Sequence, residues 1–308
     1  MTDNGELAYI WRSMLYVPAH VERFVEKARS LDVDAIQLDL EDGVPASEKE
    51  RARKGLAEAA ARANGGGADI IVRINRPIGM AVRDIEASVG PNVRALNLPK
   101  VSGADHVRLL SEHMAVVEAS AGVPVGSTKL IVTIETPEAL LKASEIFNAD
   151  ARIIGAILGA EDFAVATGAQ PGSELLESAK KTLILAAATV GIMPLGTLGS
   201  IANYRDVDGF RAIVRRSRAC GFRGSSCIHP DQAAILNEEF SPSESELAWA
   251  EGVVAGFDGQ RVGAVGFNGE MIDMPVLKRA QSALALKAKL DARRLRRGDT
   301  QLDLPTKS

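Results

Sequence analysis

Acidic side chains follow three apolar, β-type segments of the chain at the point where each segment ends. The segments are IQLDLED at 36–42, LIVTIE at 130–135 and IIGAILGAED at 153–162. If these segments are neighbouring strands, their carboxylates lie on one rim of a sheet or barrel, where protonation, cations or a metal must neutralise them. This pattern indicates a hard-cation site and therefore an enzyme.

Glu135 and Asp162 are one βα unit apart, so their carboxylates can converge on a single ion from adjacent strands. Oxygen ligands without cysteine or paired histidine favour Mg²⁺, with Mn²⁺ as the alternative, over zinc. Each acid taken alone has a second interpretation as a helix cap or first-turn acid. Glu41 and Asp42 are predicted to hold waters or Arg73 in place, or to be further metal ligands, or to form a charged turn before a helix.

Arg73 stands inside the strand-like segment VRIN, between two apolar neighbours. Strand alternation directs its side chain into a strand-lined interior. A buried cation there needs carboxylate partners or an anionic substrate oxygen. A purely structural ion pair is the alternative.

The first βα segment offers a second, weaker candidate site. Tyr16 precedes Arg23 and Lys27, which are spaced i,i+4 on a predicted helix and could hold the phosphates of a large anionic ligand. A solvated helix face is the alternative for this pair. His229 in CIHP has two interpretations: it caps a turn or bonds to the backbone, or it ligates a metal.

Composition excludes several other classes of protein. The 308 residues carry a formal charge of -4, which gives no global attraction to nucleic acid or to an anionic membrane. No apolar stretch reaches the ~18–20 residues that a membrane-spanning helix needs. Cys220 and Cys227 form neither a disulfide framework nor a zinc signature, so we expect a soluble protein of the reducing cytoplasm or of an organelle matrix.

Short apolar segments alternate with helical, alanine-rich segments, which predicts βαβ units. The predicted strands are 13–17, 34–40, 69–75, 93–98, 128–134, 152–158, 192–197 and 224–228. The predicted helices are 20–31, 47–63, 80–89, 104–121, 136–147, 173–190, 205–220 and 230–239. Eight such units favour a (β/α)8 TIM barrel over a doubly wound sheet.

The chain changes character after residue 240. We predict a barrel domain at 1–240, a helical extension at 241–295 and a disordered tail at 296–308. Within the extension, residues 241–258 and 275–295 have helical patterns, and GAVGFNGEMIDMP between them is predicted to be a loop. Such an extension is surplus to a barrel, so it is expected to pack on a neighbour or to cover a site.

These motifs, in this order, resemble the citrate lyase β-subunit-like branch of the HpcH/HpaI aldolase superfamily. The matching segments are RSMLYVPA, DAIQLDLEDGV, VRIN, LPK, IET, GAEDFA, GFRGSSCIHPDQ and GEMIDMP, which together run from residue 12 to about residue 280. The C-terminal part is similar to citramalyl-CoA, malyl-CoA and methylmalyl-CoA lyases of that family.

The resemblance implies a TIM barrel, a homotrimer or hexamer, and Mg²⁺ on Glu135 and Asp162. It places the family's substrate-binding arginine on Arg73, and we expect Glu135, Glu41 and Asp42 to bind the substrate, a CoA thioester or a 2-oxoacid, together with it. It assigns catalysis to Arg73 and to Asp273, an acid/base delivered by the extension of an adjacent subunit. The CoA contacts that it implies are Tyr16, Arg23, Lys27, Ile228 and His229.

The implied reaction is reversible carbon–carbon cleavage of a 3-hydroxy-3-carboxyacyl-CoA to acetyl-CoA or propionyl-CoA and a 2-oxoacid. A malyl-CoA-type thioesterase and an acyl-carrier-dependent subunit of a larger complex are the alternatives. Ala19 stands where the family usually has glycine, and Ser225 where it often has lysine, so the CoA pocket is expected to differ. The segment 196–206 departs from the family pattern and leaves the acyl group open.

Overall fold

The computed structural model describes residues 9–257, 265–267 and 270–297. All eight predicted strands are present and pair in parallel, in the order β7-β6-β5-β4-β3-β2-β1-β8. The strands are β1 Ser13–Pro18, β2 Ala35–Asp39, β3 Asp69–Arg73, β4 Ala95–Leu98, β5 Lys129–Ile134, β6 Ile153–Leu158, β7 Met193–Leu195 and β8 Ser225–Cys227.

Two backbone hydrogen bonds bring the ends of this sheet together. Gly196 N donates to Gly224 O at 2.7 Å, and Arg223 N donates to Pro194 O at 3.0 Å. These bonds join the segment that contains β7 to the segment that leads into β8. The eight strands therefore form a nearly closed barrel, and the predicted TIM-barrel class is confirmed.

Helices follow the strands as a (β/α)8 fold requires. In the barrel they are α1 Glu22–Arg29, α2 Lys49–Lys54, α3 Leu56–Asn64, α4 Ile78–Ser88, α5 Ala104–Ala121, α6 Pro137–Leu141, α7 Ala143–Phe147, α8 Ala160–Thr167, α9 Glu174–Val190, α10 Val207–Cys220 and α11 Pro230–Glu239. None of the helices in the described residues is both long and apolar enough to cross a membrane.

The helices differ from the sequence-based expectation in three places. The predicted helix 47–63 is divided into α2 and α3 at Gly55, and the predicted helix 136–147 is divided into α6 and α7 at Lys142. Helix α8 was not predicted, although it carries two acids of interest in its first turn. It is short, ends at Gly168 in the left-handed conformation, and shows too little periodicity to stand out.

Side chains alternate along the strands between two environments. On β2, for example, Ile36 and Leu38 pack outward in the main hydrophobic cluster, together with Ala52 and Leu56 from the helices. Gln37 and Asp39 occupy the other face and are buried as well. The inner face of the barrel therefore carries polar groups near the carboxyl ends of its strands.

A buried ion pair ties the amino-terminal end of the barrel together. Arg152, just before β6, donates to Glu118 on α5 through Nη1 at 2.8 Å and through Nη2 at 2.7 Å. Glu118 also accepts from the backbone of Gly126 and Thr128. Burial opposes the charge of Glu118, but these four hydrogen bonds outweigh it and lower its pKa to about 2.

The chain divides into two compact units, Trp11–Phe240 and a second one that joins Met1–Ile10 to Ser241–Ser308. Tyr9 and Ile10, the described residues before the barrel, thus belong to the second unit, whereas the predicted barrel domain began at residue 1. In the second unit the described elements are α12 Glu244–Phe257, β9 Val265–Phe267, β10 Glu270–Ile272 and α13 Met274–Arg297.

The second unit has a core of its own, in which Ile272 and Leu277 pack with residues of α12. Two expectations are corrected here. The segment predicted to be a loop contains β9 and β10, which pair in antiparallel fashion. Helix α13 continues to Arg297, past the start of the predicted tail at 296, and residues 298–308 lie outside the described residues.

Candidate active site

Arg73 is held at the carboxyl end of β3 by an acid of the neighbouring strand. Asp39 and Arg73 are register partners, so their side chains project from the same face. Arg73 Nε and Nη2 each donate to Asp39 at 2.7 Å. Burial opposes the charge of Arg73, but the bonds to Asp39 and the field of Glu41 keep its pKa above its usual value.

Asp39 is itself fixed by the turn that follows β2. Its two carboxylate oxygens accept from Glu41 N at 2.9 Å and from Gly43 N at 2.8 Å. A Cβ on Gly43 would lie 2.4 Å from Asp39 Oδ2, so this close approach requires glycine. The turn therefore orients the carboxylate before any ligand binds.

Glu41 joins Arg73 to a second cation, Lys100. Glu41 Oε2 lies 3.1 Å from Arg73 Nη1, and Lys100 Nζ donates to Glu41 Oε1 at 2.8 Å and to Asp42 Oδ2 at 3.3 Å. Burial lowers the pKa of Lys100, but the bond to Glu41 and the fields of Glu41 and Asp162 raise it on balance. Lys100 has a φ of 50°, a conformation that non-glycine residues rarely adopt and that is common at functional sites.

Asp39, Glu41, Arg73 and Lys100 form a cluster that we call the charged layer. Tyr16 packs against Arg73 of this layer. Its ring centroid is 4.8 Å from the guanidinium carbon of Arg73, a cation–π distance. Burial raises the pKa of Tyr16, which keeps the phenol neutral. Next to it the barrel interior is polar, since Thr133 donates to Asn97 at 2.7 Å and Asn97 donates to Gln37 at 3.4 Å.

Glu135 follows β5 and is buried with one oxygen, Oε2, that has no hydrogen-bond partner. Burial first, and then the negative charges of Asp162 and Glu41, raise its pKa to about 8. Gly159, just after β6, makes room for it, because a Cβ there would lie 2.4 Å from Glu135 Cγ. The sequence thus reserves space for a buried carboxyl group whose Oε2 has no hydrogen-bond partner.

The donor set fits a hard divalent cation. Asp162 lies in the first turn of α8 with an exposed side chain, close enough to Glu135 to raise its pKa. Mg²⁺ typically takes one or two carboxylates and fills its other positions with water and substrate oxygens. Among the described residues no group of three or more His, Cys, Asp or Glu side chains could hold a metal, so Glu135 and Asp162 are a set of two carboxylates.

The residues predicted to contact CoA are found in three environments. Arg23 and Lys27 are exposed on α1, as their i,i+4 spacing predicts. Tyr16 contacts Arg73, so it belongs with the charged layer. Ile228 and His229 form the turn between β8 and α11.

That turn is joined to the segment after β7. His229 caps α11 by accepting from Asp231 N, and its ring stacks on Tyr204 with centroids 4.8 Å apart. Gln232 accepts from Ile228 N at 3.0 Å and donates to Ile201 O at 2.7 Å. The capping interpretation of His229 is thus confirmed, while its contact with CoA stays a prediction.

Asp273 belongs to the second unit and is exposed there. Its Oδ1 accepts from Val276 N at 3.2 Å at the start of α13, and its backbone oxygen accepts from Leu277 N. This arrangement fixes the position of the carboxylate at a helix start. Its catalytic role stays a prediction.

Two residues of the charged layer were missed by the sequence analysis. Asp39 follows the alternation of Gln37 and Glu41, and this signal could have found it. Lys100 is the last residue of the motif LPK, to which the sequence analysis gave no role. Glu41 and Asp42 were expected to hold waters or Arg73, and Glu41 is indeed paired with Arg73.

Comparison with known proteins shows the family of this chain. The family model described as HpcH/HpaI aldolase/citrate lyase matches residues 12–230. The chain belongs to this family. The resemblance drawn from the motifs is therefore confirmed.

Curated relatives of this family member cover most of both chains. The citrate lyase subunit beta of Leuconostoc mesenteroides is 33% identical over 281 residues, which are 89% of this chain and 92% of the relative. The mitochondrial citramalyl-CoA lyase of Rattus norvegicus is 32% identical over 89% of this chain and 85% of the relative. The (3S)-malyl-CoA thioesterase of Cereibacter sphaeroides is 34% identical over 90% and 95%.

Among solved structures, the CitE protein of Mycobacterium tuberculosis in complex with magnesium, acetoacetate and coenzyme A matches with a TM-score of 0.72. The two proteins are 30% identical, and the match covers 91% of this chain and 99% of that one. The lyase relatives and this structure confirm the prediction of an enzyme of the carbon–carbon lyase class.

Proposed function

We propose that this chain is a Mg²⁺-dependent lyase that reversibly cleaves a 3-hydroxy-3-carboxyacyl-CoA. The substrate is of the citramalyl-CoA, malyl-CoA or methylmalyl-CoA type. The products are acetyl-CoA or propionyl-CoA and a 2-oxoacid, pyruvate or glyoxylate.

One observation carries this proposal. The buried Glu135 has an unpaired oxygen beside Asp162, on the same rim as the fixed guanidinium of Arg73. A cation held by the two carboxylates and a guanidinium nearby form a receptor for a small oxyacid. The magnesium and acetoacetate in the related CitE structure agree with such a receptor.

The cleavage requires that negative charge be stabilised on oxygen. The hydroxyl proton leaves to solvent, the bond between the hydroxyl-bearing carbon and the thioester α-carbon breaks, and its electron pair passes to the thioester enolate. Uptake of one proton at the α-carbon then gives the acyl-CoA product. Glu135 and Asp162 would hold a Mg²⁺ ion, which would supply Lewis acidity for this charge.

Arg73 supplies fixed hydrogen-bond donors for this charge. Its guanidinium has five N–H groups, of which two donate to Asp39. Glu41 Oε2 lies 3.1 Å from Nη1 and balances its charge, but it accepts no hydrogen bond. The three others, on the two terminal nitrogens, are proposed to donate to substrate oxygens. Because the side chain is already oriented, little reorganisation is needed when charge develops.

Asp273 is proposed to transfer the proton at the α-carbon, from the extension of a neighbouring subunit in a trimer or hexamer. Arg23, Lys27 and the turn at Ile228 and His229 are proposed to hold CoA, with Tyr16 supporting Arg73. The exposed charges of α1 and the ordered turn after β8 support this assignment.

A thioesterase is the second candidate, since a relative of 34% identity carries that name. In a thioesterase, a water molecule at the same site would hydrolyse the thioester bond, and the carbon–carbon bond would stay intact. An acyl-carrier-dependent subunit is the third candidate, supported by the citrate lyase subunit beta relatives.

A product assay separates these candidates. The purified chain is incubated with (S)-citramalyl-CoA, with malyl-CoA and with a citryl thioester on an acyl carrier protein, and the acetyl thioester, the free thiol and the 2-oxoacid are measured separately. Acetyl-CoA with a 2-oxoacid supports the lyase, whereas free CoA with the intact hydroxyacid identifies a thioesterase. Turnover only of a thioester on an acyl carrier protein identifies the subunit function.

A further inference from the structure

Lys49, at the start of α2, reaches back to the turn that carries Glu41. Its ammonium donates to Leu40 O at 2.9 Å, to Glu41 O at 2.7 Å and to Asn75 Oδ1 at 2.7 Å. An ammonium group has three protons, so all of its donors are used inside the protein. None is left for a substrate.

The acceptor Asn75 is anchored in turn. Its amide nitrogen donates to Leu40 O at 2.9 Å and to Asp84 Oδ2 at 2.6 Å. Asp84 is fully buried and also accepts from Arg53 Nε at 2.7 Å. The network therefore runs from the helices outside the barrel to the ends of β2 and β3.

The position of Glu41 depends on this network. Leu40 N is bonded to Arg73 O at 3.0 Å, and beyond Leu40 the chain turns away from β3. Glu41 O accepts from Lys49 and also from Val44 N, which closes the turn. From this backbone position the Glu41 carboxylate lies between Arg73 and Lys100.

We propose that Lys49 is a positioning residue of the active site, which acts through Glu41 on Arg73 and Lys100. The proposal rests on the proposed function in so far as these cations serve catalysis. Lysine suits the task because three acceptors converge on one tetrahedral nitrogen, an arrangement that the planar fork of arginine does not match.

The first test is independent of activity. Amide hydrogen exchange is measured for wild type and Lys49→Met, a variant that keeps the apolar stem. We expect peptides that cover residues 41–44 to exchange about tenfold or more faster, since charged hydrogen bonds are lost there, while peptides of β5 stay unchanged. Lys129→Met is the matched control, because Lys129 Nζ donates to Gly126 O at 2.9 Å at the other end of the barrel.

The second test asks whether Lys49 acts through Glu41. We expect Lys49→Met to lower kcat by about 10- to 100-fold, as for other groups that orient active-site residues. In the double variant with Glu41→Gln, kcat should be no lower than in Glu41→Gln alone. A merely structural role would make the two losses multiply.

The outcomes of these tests separate the role of Lys49 from the proposed lyase function. Unchanged exchange at 41–44, or losses in kcat that multiply, overturns the proposal. If wild type cleaves no CoA thioester, the proposed function fails, and hydrogen exchange still decides whether Lys49 holds the turn. If Lys49→Met does not fold, Lys49→Arg is measured in the same two tests, with the same expected directions.

Discussion

Asp39 and Arg73 are paired in register on β2 and β3, and two hydrogen bonds of 2.7 Å join their side chains. Strand pairing places the two side chains next to each other, and the hydrogen bonds to Asp39 then fix the position of the guanidinium. Arg73 is therefore oriented during folding, before a ligand binds, so little rearrangement is needed when it donates to a substrate.

Arg73→Lys should lower kcat by about 10²- to 10³-fold, because a single ammonium cannot keep the two-bond pair with Asp39 and still donate to substrate. Steady-state kinetics with the best substrate measure this effect. Arg108→Lys, in an exposed pair with Asp105 on α5, is the control and should retain wild-type kcat. Equal activity of Arg73→Lys and wild type would remove Arg73 from catalysis.

The sequence predicted those residues of the site whose positions follow from the pattern of a single strand. Acids at the ends of apolar strands placed Glu41, Glu135 and Asp162 on one rim, and strand alternation placed Arg73 inside. The partner of Arg73 was not identified, because register between strands is determined by packing in the whole barrel. The sequence analysis consequently assigned no role to Asp39.

Other parts carried no readable signal. Helix α8 is too short for its periodicity to be recognised, and Lys49 lies on a helix outside the barrel, where a lysine is ordinary. Its role depends on three acceptors that come from separate segments of the chain. Such convergence is a tertiary property that spacing along the sequence does not encode.

Gly159→Ala should weaken Mg²⁺ binding by about 10- to 100-fold, since the added Cβ would displace Glu135. Isothermal titration with Mg²⁺ and a 2-oxoacid checks this effect without turnover. Gly79→Ala is the matched control, because a Cβ at Gly79 meets nothing within 4 Å. Unchanged affinity in Gly159→Ala would show that Glu135 does not bind the ion.

Glu118→Gln should destabilise the fold by about 3–5 kcal/mol at neutral pH, because it leaves the buried Arg152 without its charged partner. Denaturant unfolding at several pH values measures the loss. Glu118 has a folded pKa of about 2, below its ordinary 4.5, so its contribution is present above pH 4.5 and is lost as pH falls toward 2.

The difference in stability between wild type and Glu118→Gln should therefore shrink between pH 5 and pH 2. Glu138→Gln removes an exposed ion pair with Lys142 and should change the unfolding midpoint little at any of these pH values. A difference between wild type and Glu118→Gln that is constant with pH would contradict the assigned pKa.

The central claim is metal-dependent carbon–carbon cleavage at Glu135, and one measurement tests it most directly. Purified wild type and Glu135→Gln are given (S)-citramalyl-CoA over a titration of Mg²⁺, with EDTA as the zero point, and acetyl-CoA and pyruvate are quantified together. We predict equal amounts of the two products from wild type, none with EDTA, and a loss of about 10²-fold or more in Glu135→Gln. Equal product formation in EDTA, or by Glu135→Gln at low Mg²⁺, would contradict the account.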